Sequence, residues 1–203
     1  MKKIVENIAK YVIDRNGKIE LQEAYEYSFQ ILIETVITIV TNLIMAIAFG
    51  RFWEYIVFIL VFLSVRNYAG GIHLNTFWGC FILTNTVVVI ILTVSGKIPL
   101  NSFTNVVIIV VLSCLLLIRA PIDTPNRRLN VEEKAIMSRK LKRNLLFINI
   151  IVILFVILSE NTIIIVVRNT ICIAFLSCLA GWAKNKYLKA TDNKEKGIGM
   201  ISG

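Results

Sequence analysis

A histidine and a cysteine lie seven residues apart in the segment Arg66–Cys80, RNYAGGIHLNTFWGC, between two long apolar runs. His73 is the single histidine of the 203-residue chain, and Cys80 is one of four cysteines. Ionisable groups are costly inside a bilayer and usually mark a functional site there. We therefore interpret Cys80 as the nucleophile and His73 as the base of a membrane-embedded peptidase.

The chemistry of a cysteine nucleophile sets conditions on this segment. A cysteine attacks as its thiolate, and a histidine that takes the proton favours that form. On one continuous helix, residues seven apart are separated by ~10.5 Å along the axis, which is too far for a hydrogen bond. His73 must therefore lie off the helix that carries Cys80. Gly70 and Gly71 permit the necessary turn, because glycine adopts backbone angles closed to other residues.

Other readings of the same residues remain open. The spacing alone also fits an interfacial histidine with an unreactive cysteine. The positive end of a helix capped by Asn75 or Thr76 would favour the reactive reading. Cys114, Cys172 and Cys178 lie within apolar runs and fit small buried hydrophobic side chains. We expect no metal, no other cofactor and no nucleic-acid partner.

Composition places the chain in a membrane, since 57% of its residues are hydrophobic, against ~45–50% in soluble domains. We predict an all-α membrane protein with a short N-terminal amphipathic helix and six transmembrane helices. The single domain, residues 1–203, divides into a lead-in (1–26), a bundle (27–182) and a tail (183–203). The six spans lie near residues 27–49, 52–67, 77–95, 103–119, 144–159 and 162–182.

The distribution of positive charge predicts the orientation. Of the 22 Lys and Arg residues, 19 lie before the first span, after the second, between the fourth and fifth, or after the sixth. Arg51 and Lys97 lie on the opposite side, and Arg168 is inside the last span, where it either snorkels outward or pairs with an internal acid. Positive loops stay cytoplasmic. Both termini and the His73–Cys80 segment are therefore expected to face the cytoplasm.

Polar residues form a stripe on the first span. Tyr27, Gln30, Glu34, Thr38 and Thr41 recur every three or four residues and so share one helix face. Such a face must turn toward the bundle interior. It either joins helices together or lines a substrate groove, with Gln30 and Glu34 as candidate binding residues.

The connection Arg119–Arg143 is the most basic part of the chain. Pro121 and Pro125 exclude a helix from its first part. Asn130 followed by Glu133 resembles a capping box, and the helix that begins there is expected to run into the fifth span. Its basic residues attract anionic lipid and could also hold an acidic peptide.

The segment resembles the signature of the accessory gene regulator B (AgrB) family, membrane cysteine endopeptidases of Gram-positive quorum sensing. Arg66, Gly71, His73 and Cys80 match the family pattern, and the loop Ala120–Arg128 is similar to the family's loop after the fourth span. The chain length, the six-span pattern and the basic loops also fit this family.

The resemblance implies a two-step reaction on a small amphipathic propeptide of the AgrD type. Cys80 would cleave off the acidic C-terminal tail and retain the rest as a thioester, which an internal cysteine or serine converts to a thiolactone or lactone. Arg66 and Arg127 would bind substrate carboxylates, and the protein would act as a homodimer at the cell membrane. The resemblance assigns no third catalytic residue, so Glu34, Asn75 and Asn85 remain candidates to orient His73.

Two other functions compete with this one. A six-span peptide transporter or exporter would explain the polar stripe, although the internal repeats and broken helices common in transporters are not apparent. A non-catalytic scaffold that binds anionic lipid or acidic peptides would explain the basic loops. Neither explains the Gly-Gly-Ile-His sequence.

Overall fold

Six α-helices make up most of the part of the chain that this computed structural model describes. That part comprises residues 7, 10–11, 22–71, 76–95, 100–122 and 130–199, without the side chains of 23, 24, 27 and 188–199. It contains no strand, so the predicted all-α class is confirmed there. The predicted N-terminal amphipathic helix lies outside the described residues apart from Asn7, Lys10 and Tyr11. The helices are α1 Gln22–Ala48, α2 Phe52–Ala69, α3 Phe77–Val94, α4 Ser102–Arg119, α5 Val131–Ile157 and α6 Asn161–Gly199.

Five of the described helices, α1, α2, α3, α4 and α6, are long and apolar enough to cross a membrane. The predicted fifth span, 144–159, corresponds to the second half of α5. Four basic residues, Arg139, Lys140, Lys142 and Arg143, precede it, and the apolar part from Asn144 to Ile157 rises only ~20 Å. This is shorter than the ~30 Å hydrocarbon core. The structure thus supports a multi-pass membrane protein without confirming the count of six spans.

Side-chain caps begin three of the helices. Thr76 accepts a hydrogen bond from the Gly79 amide at the start of α3, as the sequence predicted. At α5, Asn130 and Glu133 form the predicted capping box, with Glu133 N–H to Asn130 Oδ1 at 2.8 Å and Asn130 N–H to a Glu133 carboxylate oxygen at 3.1 Å. The basic helix α5 is continuous from Val131, as expected. Asn101 caps α4 in the same way.

The helices pack around two apolar clusters. The larger joins α2, α4, α5 and α6 and includes Val65, Leu116, Leu145 and Ile171. The smaller attaches α1 and α3 to α2 and α6, and it lies at the end of the bundle where α1 and α3 finish. Among the described residues, α1 has no buried side chain before Asn42, and α3 has none before Val88. The two helices therefore pack loosely toward the other end, which we call the Gly-Gly end after Gly70 and Gly71.

A buried polar network lies opposite the Gly-Gly end. Arg168 in α6 is 6% exposed, and it donates to Asn105 Oδ1 at 2.7 Å and to Asn169 Oδ1 at 2.9 and 3.1 Å. Asn169 in turn donates to Ser95 Oγ at 3.2 Å. No described carboxylate pairs with Arg168; its partners are amides, unlike either possibility considered from the sequence. The network ties the end of α3 to α4 and α6.

We expect Asn105→Leu to destabilise the protein by about 2 kcal/mol, because Arg168 would lose a buried acceptor. Thermal unfolding in detergent should show a lower midpoint than wild type. The exposed Thr162→Ala should leave the midpoint unchanged. If Arg168→Met combined with Asn105→Leu is no more stable than Asn105→Leu alone, the loss does not arise from the stranded guanidinium.

Candidate functional site

The first turn of α3 carries Cys80 at the Gly-Gly end. The Cys80 amide bonds to the Thr76 carbonyl at 3.2 Å, and the side chain is half-buried as a free thiol. Four residues separate Cys80 from the cap Thr76, so it lies ~6 Å below the helix start. Trp78 beside it is exposed, and tryptophan is typical of the membrane–water interface. The nucleophile predicted from the sequence is thus at a helix N-terminus near the end of the bundle.

A turn of two glycines ends α2 just before the predicted base. Gly70 has φ of 76° and donates its amide to the Arg66 carbonyl at 3.1 Å. A Cβ at Gly70 would lie 2.7 Å from the Ile122 carbonyl oxygen. The Ile122 amide also bonds to the Ala69 carbonyl at 3.1 Å. The turn therefore brings the beginning of the α4–α5 connection against the end of α2.

Helix α6 contacts the same turn through a glycine. A Cβ at Gly181 would lie 2.8 Å from the Gly71 carbonyl carbon, and one at Gly71 would lie 2.6 Å from Ser177 Oγ. Both positions therefore need glycine for space. The structural role predicted for Gly70 and Gly71 thus has a physical reason: the turn is in close contact with Ile122 on one side and with α6 on the other.

Arg66 lies in the last turn of α2 and points into this junction. Its Nη1 donates to Ser177 Oγ, and its Cζ lies 5.7 Å from the centre of the Phe62 ring. Arg66 and the predicted nucleophile Cys80 thus lie on the two helices that flank the Gly70–Gly71 turn.

Other cations lie over aromatic rings at the same end of the bundle. Lys140 Nζ is 5.7 Å from the Tyr68 ring centre. Arg119 Cζ and Lys186 Nζ are each 5.4 Å from the Trp182 ring centre. Positive charges from α4, α5 and α6 therefore lie at this end of the bundle.

His73 and Arg127 lie outside the described residues, in 72–75 and 123–129. Their predicted roles as base and as carboxylate-binding residue stay predictions. Asn75 lies in the first of these gaps too. Asn85 is described: its Oδ1 is buried and has no hydrogen-bond partner among the described residues. Its amide nitrogen donates to the Phe81 carbonyl at 2.6 Å.

The polar stripe of α1 forms its described hydrogen bonds within its own helix. Gln30 Nε2 donates to Glu34 Oε1 at 2.9 Å. Thr38 and Thr41 donate to carbonyls four residues earlier. Glu34 is half-buried and Gln30 is exposed. No described hydrogen bond joins this stripe to another helix or to Cys80, so its role as a groove stays a prediction.

Sequence reasoning missed two residues of the junction, Ser177 and Gly181. They are four residues apart on α6, and small residues at this spacing allow close helix packing in membranes. This pattern could have identified the packing face of α6. It could not have identified Gly71 and Arg66 as the partners, because that pairing spans more than 100 residues.

The sequence is similar to proteins of a known family. The sequence profile described as "Accessory gene regulator B" matches residues 1–183. The AgrB-like protein 2 of Clostridium perfringens strain 13 is 26% identical over 172 residues, covering 78% of this chain and 80% of that protein. A second AgrB-like protein, from strain SM101 of the same species, is 26% identical over 174 residues with the same coverage. No solved structure matches at comparable significance.

Proposed function

Because this chain belongs to the accessory gene regulator B family, we propose that it is a membrane cysteine endopeptidase that processes a quorum-sensing propeptide. Cys80 is the nucleophile and His73 the base. The observation that carries this proposal is the position of Cys80, a half-buried free thiol in the first turn of α3. A cysteine at a helix N-terminus has the surroundings of a reactive thiol.

Chain length supports the pairing of His73 with Cys80. His73 follows Gly71 by two residues and precedes Thr76 by three, so its Cα must lie within ~7 Å of the first and ~11 Å of the second. Gly71 follows the end of α2, and Thr76 caps the helix that carries Cys80. We propose that the imidazole of His73, in this short connection, forms a hydrogen bond with the Cys80 thiol in the productive state.

The reaction proceeds in two covalent steps. His73 takes the proton of the Cys80 thiol, and the sulfur forms a bond to the carbonyl carbon of the scissile peptide bond. The carbon–nitrogen bond then breaks, the leaving amine takes the proton from His73, and the acidic tail departs. A cysteine or serine side chain of the remaining peptide attacks the thioester, which closes a thiolactone or lactone ring and regenerates the Cys80 thiol.

The loose packing of α1 and α3 toward the Gly-Gly end suits a peptide substrate. Glu34 precedes Ala48 by 14 residues, and Cys80 precedes Val94 by 14 residues. Each residue therefore lies ~21 Å from the C-terminal end of its own helix. Because the two helices are parallel and adjacent, Glu34 and Cys80 lie at a similar level of the bundle. We propose that Gln30 and Glu34 line the groove beside Cys80 and contact the part of the substrate before the cleavage site. Arg127 is proposed to hold the acidic tail.

We propose that the Gly-Gly end faces the cytoplasm and that anionic lipid binds beside α5. This end carries the cations over Tyr68 and Trp182, and positive loops are retained in the cytoplasm. A groove of about 430 Å³ on α5 combines a basic rim with an apolar floor, which suits a lipid headgroup and its chains. The groove is lined by Arg139, Lys142, Arg143, Leu146, Phe147 and Ile150. The homodimer implied by the family resemblance stays a prediction.

A propeptide that lacks its ring-forming nucleophile should trap the protein as an acyl-enzyme. With its internal cysteine or serine changed to alanine, the thioester on Cys80 has no partner for ring closure. We expect intact-mass spectrometry of the purified protein to show an adduct equal to the peptide without its tail, removed by neutral hydroxylamine. The unmodified propeptide should give cyclic product and no stable adduct.

Tail release without any adduct, from the altered propeptide, would contradict the thioester mechanism. Export of uncleaved propeptide by the wild-type protein would instead favour the transporter that the sequence left open. The two outcomes are separated by the mass of the peptide recovered outside the cell.

A further inference from the structure

Two buried amide oxygens have no hydrogen-bond partner among the described residues, and they lie on the two helices that border the proposed groove. Asn42 in α1 is 1% exposed, and its Oδ1 is unpaired. The Oδ1 of Asn85 in α3 is buried and unpaired as well. The nitrogen of each amide already donates to a backbone carbonyl of its own helix, so turning the amide over would not supply a partner. Buried polar atoms without partners are uncommon in folded proteins, and each requires an explanation.

Both amides lie deeper in the bundle than Cys80. Helices α1 and α3 are parallel neighbours that end at Ala48 and Val94. Asn42 lies ~9 Å, Asn85 ~13.5 Å and Cys80 ~21 Å before the C-terminal end of its own helix. Asn85 is therefore ~7.5 Å and Asn42 ~12 Å further from the Gly-Gly end than Cys80.

The two amides also mark the inner limit of the loosely packed part of α1 and α3. Asn42 is the first buried side chain of α1 among the described residues, and Asn85 comes three residues before Val88, the first in α3. Glu34 and Thr38 precede Asn42 at intervals of four residues, so the polar stripe of α1 continues to Asn42 along one face. The unpaired oxygens thus lie where the proposed groove ends.

An extended peptide backbone suits such a pair of acceptors. Successive residues of an extended chain are ~3.3 Å apart and point alternately to opposite sides. A peptide between α1 and α3 would therefore present one N–H group to each helix within a few residues. With the scissile carbonyl at Cys80, residues about two to four positions before the cleavage site would reach the depths of Asn85 and Asn42.

We propose that Asn42 and Asn85 form a peptide-binding subsite, whose amide oxygens accept hydrogen bonds from backbone N–H groups of the substrate just before the cleavage site. The proposal rests on the proposed function for the identity of the substrate. It extends the groove beyond Gln30 and Glu34, and it gives the inner end of the groove a specific chemistry. That chemistry recognises the peptide backbone, whatever the side chains of the substrate.

Thermal unfolding tests whether the Asn42 oxygen is unpaired in the free protein. Leucine has nearly the shape of asparagine, so Asn42→Leu removes the acceptor without changing the volume. We expect the midpoint in detergent to rise by about 3 °C, because a stranded buried acceptor is lost. Asn105→Leu is the matched control: its oxygen accepts from Arg168, so the same substitution should lower the midpoint. A lower midpoint in Asn42→Leu would overturn the proposal, because the oxygen would then have a partner, such as a bound water, without any peptide.

Peptide binding to the Cys80→Ala protein tests the contact itself in the absence of cleavage. The probe is a synthetic segment of the propeptide that spans the cleavage site and carries a fluorophore at its amino end. Methylation of one backbone nitrogen at a time removes each N–H group in turn over the four residues before that site. At least one methylation should weaken binding about tenfold. Its effect should fall below about twofold once Asn42→Leu or Asn85→Leu is added, because the acceptor is already gone.

The same loss on methylation with and without both asparagines would overturn the proposal, as would unchanged affinity for the unmethylated probe in both leucine variants. Failure of the proposed function gives a different result: the effect of methylation would still depend on Asn42 or Asn85, while the wild-type protein releases no tail. Normal tail release with equal methylation losses in all variants would remove the subsite alone.

Discussion

Replacement of Cys80 by alanine is expected to abolish tail release, with a loss of at least about 10³-fold in rate. The sulfur forms the bond to the scissile carbonyl, and removal of a covalent nucleophile leaves only the weak contribution of binding and positioning. Co-expression of the propeptide with the variant should yield uncleaved propeptide by mass spectrometry. Binding of the propeptide should persist, because Cys80 occupies one short turn at the start of α3.

The other cysteines serve as internal controls for this prediction. Cys114 is exposed on α4, and Cys172 is half-buried in α6; Cys114→Ala and Cys172→Ala should each cleave within about twofold of wild type. Continued tail release by Cys80→Ala would refute the peptidase assignment. Equal loss in all three variants would indicate a general effect on folding, which size-exclusion chromatography detects.

Local rules allowed much of the fold to be predicted from the sequence. Thr76 and Asn130 cap helices because their side chains accept hydrogen bonds from first-turn amides, which have no carbonyl of a preceding turn to bond to. The apolar runs indicated the helices, and Gly70-Gly71 indicated a turn before Cys80. Each of these features depends on residues within a few positions of one another. Their physical cause is therefore contained in a short stretch of sequence.

Contacts between distant helices could not be predicted in this way. Arg168 was expected to reach solvent or an acid, but it bonds to Asn105 in α4. An amide in an apolar run gives no sign of which buried cation it will meet. The span predicted in α5 is not confirmed for another reason: the apolar part of this helix is short, and the basic turns before it continue the same helix. Helix length and membrane span are separate properties.

In the site, too, the features set by neighbouring residues could be predicted, and the contacts between distant helices could not. The candidate nucleophile and the glycine turn were both predicted from neighbouring residues in the segment Arg66–Cys80. The participation of α6 was not, because Ser177 and Gly181 carry no reactive group and lie in an apolar helix. What makes them important is the short distance between backbones. That distance is a result of packing between α2 and α6.

Gly181→Leu is expected to reduce tail release about 100-fold while the helix content stays the same. A Cβ at this position would lie 2.8 Å from the Gly71 carbonyl carbon, so the Gly70-Gly71 turn must move away from α6. A displacement of ~1 Å in a positioning element can cost about 10²-fold in rate. Leucine stabilises a helix by about 0.8 kcal/mol relative to glycine, so a loss of helix propensity cannot cause the expected fall in the rate of tail release.

Ala183, which is exposed two residues further along α6, provides the matched control. Ala183→Leu adds the same side chain on a surface that does not contact the turn, and its cleavage rate should stay within about twofold of wild type. Circular dichroism should give the same helix signal for both variants. A Gly181→Leu rate within threefold of wild type would show that the reaction tolerates separation of α6 from Gly71. In that case the glycine contact serves packing alone, and the base and nucleophile are positioned by α2 and α3 without α6.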